Sequence, residues 1–434
     1  MQRIEKYILD KYDGSDIWFE EEVRQAEHLN RISKVINNRE YLGGKHKILT
    51  KEDAKWKGKE YITTKLVLQQ AKTLLNFHST YLLGKPLNLV GSKDKVRAYE
   101  NIYRNADYST LDFTILDNVN KYIEVFEYVY WDTEEKEIKS KLIDSTDGFP
   151  IFSEDTGDYI GFIEHWTSGS NKVSYYNIYY KDRVEIWDNE GGELELRDSK
   201  LNLTGLPIHW KNSENRSMLE DLKPIFDEME DMLSKMSDSI YCYSLNPIGV
   251  AVGQRIEGSI PSDAVGYALN LDAGEFEFKN AEMDYNTIKL YLGTLQQQLN
   301  TIGHMPSIAM GNSNVANVSE VSLKLLYQLA DIMAMLNEKW FRRGLKERFK
   351  KWNILLNRNN IIFNDSEYID VEFNYSRPVN QAELLDNLKK QREMGAISIE
   401  TIIEKSDLTR DKIQELERLK NEVIKDNDVE NVIQ

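Results

Sequence analysis

The sequence predicts an α+β chain, and three observations carry that expectation. Residues 1–120 are patterned mostly at helical spacing, residues 121–211 alternate in short strand-like runs, and the helical period returns at Ser217. The chain has 434 residues, 41% of them hydrophobic and 11% aromatic, enough to build a core in two or three domains.

Taken in order, SDIWFEEEVRQAEHLNRISKVINNREYL reads as helix with Ser15 as a cap. YITTKLVLQQAKTLLNFHSTYLLG reads as a second helix, stopped by Gly84 with Pro86 beyond it. KDKVRAYENIYRNADYSTLDFTILDNVNKY gives one or two more. Then YIEVFEYVYWD, KEIKSKLIDS, YIGFIEHW, VSYYNIYY, DRVEIWD and ELELRD follow, each closed by Asp, Gly or Ser turns. Such spacing predicts an antiparallel meander, ending near GLPIHWKNSE.

From Ser217 a narrow apolar stripe (Met218, Leu222, Ile225, Met229, Met232, Met236) predicts a long helix reaching toward Tyr243. PIGVAVG, GYALNL and EFEFKN form a compact mixed insert. Ile288, Leu292, Leu295, Leu299 and Ile302 then alternate four and three apart, a heptad seam. The two helices carry the insert between them. Stripes one seam wide bury little alone, so neighbouring subunits are expected to complete them; an ordinary hairpin inside a monomer is the alternative.

A polar loop follows, rich in Asn and Ser and without Lys or Arg, near the upper length for a structureless connection. It offers neutral donors and acceptors, suited to transient contact with a moving polyanion. A helix from Val318 to Trp352 is expected next, about 50 Å long, with Val318, Val321, Leu325, Leu329, Ile332, Leu336 and Trp340 on one face. Its C-terminal part is basic, complementing the helix dipole. The strand YIDVEFNY, an SRPVN turn and a helical hairpin broken near GAIS complete the chain.

The net charge of −17 argues against firm phosphate binding over most of the surface. One cysteine, Cys242, excludes an intrachain disulfide and fits a reducing compartment. No apolar run approaches a membrane span and the N-terminus lacks a signal-peptide core, so a soluble cytoplasmic product is expected. The six histidines are scattered without metal-ligand spacing. No phosphate-cradling GxxxxGK[ST] loop and no GxSxG elbow occurs, and TSGSNKVS reads as a hairpin turn.

In this order the segments resemble the portal proteins of long-tailed bacteriophages, most closely the portal family of phages of Gram-positive hosts. YLLGKPLNL (Tyr81–Leu89) is similar to the family's LGKP signature. SMLEDLKPIFDEMEDMLSKMSDSIYCYSLNPIGVAVG (Ser217–Gly253) resembles the first stem helix running into the clip. LQQQLNTIGHMPSIAMGNSNVANVSEVSLKLLYQLADIMAMLNEKWFRRGLKERFKKW (Leu295–Trp352) resembles the second stem helix, tunnel loop and long kinked helix. VEFNYSRPVNQAELLD (Val371–Asp386) resembles the opening of the crown. The likeness covers about residues 15–420. It departs from the family at the Asn-rich loop, at Ser319–Glu320, where a small Ser/Gly step is common, and in a short crown.

The resemblance implies a ring-forming portal fold, with a helical and β wing (1–216), stem helix 1 (217–244), a small α/β clip (245–281), stem helix 2 (282–303), a tunnel loop (304–317), a long wing helix with return strand (318–379) and a short helical crown (380–434). It implies a channel of twelve copies through which double-stranded DNA is packaged and ejected, without catalytic activity, cofactor or metal. Channel contacts are expected at His304, Ser307, Asn312, Ser313, Asn314, Asn317 and Lys324. Clip contacts to terminase and the head-completion adaptor are expected at Gln254, Arg255, Glu257 and Asp263, and an inter-subunit or DNA-proximal basic cluster at Arg342, Arg343, Lys346 and Arg348. Tail, capsid and scaffolding proteins are the further implied partners, with no membrane. The implied location is the portal vertex of the virion, and the host cytoplasm during assembly. Another phage head or tail protein, and a nucleic-acid-processing enzyme, are the readings left open beside it.

Overall fold

A computed structural model describes residues 3–56, 59–61, 63–240, 248–253, 274–279, 284–306, 319–364, 366–378, 380–405, 414–416, 418–419 and 421. The chain divides into two compact units, Met1–Met305 with Leu329–Ser376, and Pro306–Gln328 with Arg377–Gln434.

The first unit opens with α1 (Arg3–Tyr12), α2 (Trp18–Glu22) and α3 (Ala26–Leu42), then a 3-10 turn (Lys47–Thr50) and the short pair β1 (Ala54–Trp56) and β2 (Lys59–Tyr61). The expected first helix is thus two, and Ser15 makes no side-chain cap to α2. α4 (Gln70–Leu83) follows, then β3 (Asn88–Gly91), α5 (Lys93–Asn105) and α6 (Tyr108–Tyr122). Gly84 closes α4 in ordinary helical backbone (φ −67, ψ −19), and its need for glycine is steric: a Cβ there would lie 2.3 Å from the Thr80 carbonyl oxygen and 2.9 Å from Ser376 Oγ.

The meander is β4 (Glu124–Asp132), β5 (Glu137–Ile143), β6 (Gly148–Phe152), β7 (Tyr159–Thr167), β8 (Ser174–Tyr179), β9 (Arg183–Asp188), β10 (Glu195–Leu201) and β11 (Ile208–Lys211). It forms two antiparallel sheets, ordered β11-β4-β5 and β10-β9-β8-β7-β6. The expectation misses β6, GFPIF, whose proline and short length hide it. TSGSNKVS is the β7–β8 hairpin connection, with Lys172 at φ 58. Phe149, Ile151, Ile163 and Ile178 from the larger sheet pack on Ile4, Trp18 and Phe19, so α1 and α2 cover one face. Phe126 and Ile143 meet Phe162, Tyr179 and Val184, joining the sheets.

α7 (Leu219–Ser239) and the later α8 (Tyr285–Ile302) flank the antiparallel pair β12 (Ile248–Val252) and β13 (Glu275–Lys279). Two of the three strands expected in the insert are these; GYALNL lies outside the described residues. Leu222, Phe226 and Met229 of α7 join Leu299 of α8 and Leu74 and Leu75 of α4 in one cluster, with Leu295 packed against it. Farther along α8, Tyr285 and Leu290 stand 68% and 72% exposed.

The expected single helix from Val318 is two. α9 (Glu320–Leu326), in the second unit, is capped by Ser319, which accepts from the Ser322 amide, and it stops at Tyr327 (φ −97, ψ 4). α10 (Gln328–Arg358) then runs 31 residues, six past the expected end. Of the predicted apolar face, Ile332 and Leu336 stand exposed and Trp340 is buried, while Ala330, Ala334, Phe341, Leu345 and Phe349 are buried beside it. The return strand β14 (Ile369–Glu372) pairs with β3. In the second unit α11 (Gln381–Glu393) and α12 (Ile399–Lys405) flank the expected break, where Gly395 takes φ +70.

Candidate functional site: the loop root and the basic helix face

The entry to the loop is built by α4 and α8. His78 is almost wholly buried and its Nε2–H donates to the Gly303 carbonyl, 2.7 Å away. Burial pulls His78 down to about 4, so the ring is neutral near pH 7 and keeps the proton that this bond needs. α8 closes with two reciprocal backbone bonds, Met305 N to Asn300 O (2.9 Å) and His304 N to Thr301 O (3.2 Å). That is a Schellman turn, and His304 fills its left-handed position with φ 51, where glycine is the usual residue. His304 also bonds through Nδ1 to the Ile302 carbonyl at 3.0 Å. Ser307, Asn312, Ser313, Asn314 and Asn317 lie outside the described residues. Lys324, in the second unit, is exposed on α9.

A second support was not legible in the sequence. Residues 63–68, expected as helix, run extended beside α7. Leu68 N donates to Glu230 Oε1 (2.7 Å), Leu66 N to Ser234 Oγ (3.0 Å) and Thr64 N to Asp238 Oδ1 (2.9 Å). Every second residue of an extended chain advances about 6.6 Å, and every fourth residue of a helix about 6 Å, so the two periods match rung for rung. His46 Nδ1 adds a bond of 2.7 Å to the same Glu230 oxygen. Hydrophobic spacing cannot reveal this ladder, because its helix side is polar.

The basic cluster separates by burial. Arg348, expected to face a neighbour or DNA, is fully buried inside the chain. Its Nε contacts both Glu127 oxygens at 2.9 and 3.0 Å, and its Nη1 reaches Asp112 Oδ1 at 2.5 Å. Trp210 Nε1 and Ser140 Oγ also donate to Glu127, and Tyr103 to Asp112. Lys351 is buried likewise, donating to the Thr204 and Leu206 carbonyls at 2.6 Å. Arg342 binds Glu338 and Asp370 at 2.6 Å and the Val371 carbonyl at 2.7 Å, fastening α10 to β14. Arg343 and Lys346 remain exposed, and Lys339 and Lys350 share their face.

Of the insert, the β12–β13 arms are described; Gln254, Arg255, Glu257 and Asp263 lie outside the described residues, as does Cys242. Among the described residues no cluster of His, Cys, Asp or Glu is arranged to hold a metal ion, and no helix is long and apolar enough to cross a membrane.

Comparison with known proteins adds the following. The portal protein of Bacillus phage SPP1 is 23% identical over 388 residues, covering 81% of this chain and 75% of that protein. A chain from the neck of an empty gene transfer agent particle aligns with a TM-score of 0.45 and 9% identity, over 76% of this chain and 86% of its own. A chain from the virion of the native gene transfer agent particle aligns at 0.44 and 10%, with the same coverage. Likenesses that low leave the assignment to the sequence. The family described as phage portal protein, SPP1 Gp6-like, matches residues 22–428, nearly the whole length, and this chain belongs to that family of phage portal proteins.

Proposed function

We propose that twelve copies of this chain form the ring at one capsid vertex through which double-stranded DNA enters and leaves. The family membership supports the reading, and one physical observation carries it to assembly. Apolar side chains that the single chain leaves in water, Tyr285, Leu290 and Tyr291 on α8 and Ile332, Met335 and Leu336 on α10, sit beside fully formed cores. Exposed apolar surface at that density marks a protein partner, and a closed ring supplies one from the same chain.

In this reading residues 304–317 are the tunnel loop, and the His78–Gly303 bond fixes where it leaves α8. Ser307, Asn312, Ser313, Asn314 and Asn317, with His304 and Lys324, meet the duplex as neutral or sparse contacts. A ring of twelve carries a net charge of about −200, which keeps most of its surface from gripping DNA. The clip, 245–281, docks terminase during packaging and the head-completion adaptor afterwards, through Gln254, Arg255, Glu257 and Asp263. Tail, capsid and scaffolding proteins complete the partners. The chain acts in the virion without catalysis or cofactor; ATP hydrolysis belongs to the terminase.

The test is direct imaging with mass measurement of the purified protein. Closed rings with a central hole are expected, and a compact single copy in solution sinks the reading. Deleting residues 306–317 is expected to leave rings intact and abolish DNA packaging. Arg255→Glu is expected to weaken terminase docking before any other step.

A further inference from the structure

The exposed face of α10 changes chemistry along its length. Ile332, Met335 and Leu336 occupy its first turns, and Lys339, Arg343, Lys346 and Lys350 occupy the next. The four cations are spaced four, three and four apart, so they lie on one side of the helix and span about 16 Å. All four are exposed, and none makes a hydrogen bond or ion pair among the described residues. The other three cations of the segment behave oppositely: Arg342, Arg348 and Lys351 each bond to internal acceptors. Internal partners, invisible in the sequence, separate the two sets.

We infer that Lys339, Arg343, Lys346 and Lys350 form a track for the phosphodiester backbone of double-stranded DNA, separate from the loop at 304–317. The inference rests on the portal reading, since that reading brings a duplex within reach. Three arguments favour DNA over the acidic face of a second copy. Lysine and arginine only donate, so the occupant must be rich in acceptors. No apolar side chain is exposed on that face between Lys339 and Lys350, whereas the centre of a protein interface is apolar and depleted of charge. And about 16 Å of duplex axis presents roughly five phosphates per strand, a row matched in length by four cations.

The track continues into a cleft. Lys339 and Arg343 line it with Lys211 from the end of β11 and the side chains of Asn212, Ser213 and Asn215. The cleft holds about 630 Å³, room for a phosphate-bearing ridge but not for a duplex. Two acids are present. Asp158, on the cleft wall, is held by Arg3 and Thr156. Glu347, exposed beside Lys346, lies within the field of Arg343 and Lys350. Four cations against one unpaired acid leave the face positive on a chain whose net charge is −17.

The test is binding of a short fluorescent duplex to assembled protein between about 50 and 200 mM salt, with ring formation imaged in parallel. Lys339→Gln, Arg343→Gln, Lys346→Gln and Lys350→Gln combined should lower the slope of log affinity against log salt by about 3 to 4, roughly one per contact. Lys346→Gln alone, an exposed change that leaves the fold intact, should lower it by about 1. An unchanged slope in rings of either variant overturns the track and leaves the portal reading standing. Loss of rings in the fourfold variant with an unchanged slope for Lys346→Gln also overturns it, and assigns the face to a second copy. Absence of rings in the unaltered protein removes the portal reading itself.

Discussion

The inner and outer sides of α10 obey opposite rules, and the contrast is instructive. Inside, between Phe341 and Leu356, the helix buries charge: Arg348 with Glu127 and Asp112, and Lys351 on two carbonyls, all among Trp210, Tyr108 and Trp352. Outside, between Ile332 and Leu336, it shows apolar side chains to water. A hydrophobic pattern read as core would invert both. Buried charge survives because every carboxylate oxygen there has a donor, and the exposed apolar surface is what the proposed ring would cover.

The largest expected effect comes from breaking the inner side. Arg348→Met removes the one cation between two buried carboxylates. It should cost about 3–5 kcal/mol, read as a lower urea midpoint in equilibrium unfolding. A midpoint within error of the parent protein shows that Glu127 and Asp112 find other partners.

Next comes the same logic at the root of α8. His78 is held neutral in the fold, with His304 its charged neighbour when protonated, and titrates near 4 rather than 6.5. Its folded value is depressed, so the folded chain binds fewer protons than the unfolded chain between those values. Stability is therefore full above about pH 6.5 and declines as pH falls toward 4, by up to roughly 3 kcal/mol. His165 and His209, partly buried, are depressed too and act in the same direction. His78→Leu should flatten that part of a melting-temperature profile; an equally steep profile assigns the decline to the other two.

Gly344→Ala probes packing on the inner side. The added Cβ would sit 2.3 Å from Trp210 Cζ3, so the helix must shift from the ring at a cost of about 1–3 kcal/mol. Unchanged thermal unfolding shows that Trp210 moves freely. The smallest effect on stability belongs to the outer side: Ile332→Ser with Leu336→Ser should change the single chain's stability by no more than about 0.5 kcal/mol. Ring formation, followed by light scattering, should nonetheless fail. Intact rings would show that this part of α10 lies outside the subunit interface.

Much of the architecture was legible because its signals are local. Gly84 followed by Pro86 stops α4, alternation marks β4, β7, β8 and β9, and Gly395 breaks the last hairpin. What failed was nonlocal. The helix expected over residues 63–68 is absent because the Thr64, Leu66 and Leu68 amides bind α7, more than 160 residues away. The buried side of α10 was not legible because Ala330, Ala334 and Gly344 carry no hydrophobic signal yet sit in contact. Arg348 was taken for surface because charge in a sequence says nothing of who surrounds it. For the candidate site, the loop's entry residue His304 was legible, but its anchor His78 was hidden in an otherwise apolar helix, where nothing marks one polar side chain as a clasp.

The ladder between residues 64–68 and α7 has a consequence for how the molecule opens. Thr64, Leu66 and Leu68 have their amides protected by side chains of a helix and not by a neighbouring strand. Their deuterium uptake should therefore follow the opening of α7 and match the helix amides in rate, although the segment has no regular structure of its own. A stretch that reads as loose connection is thermodynamically part of α7.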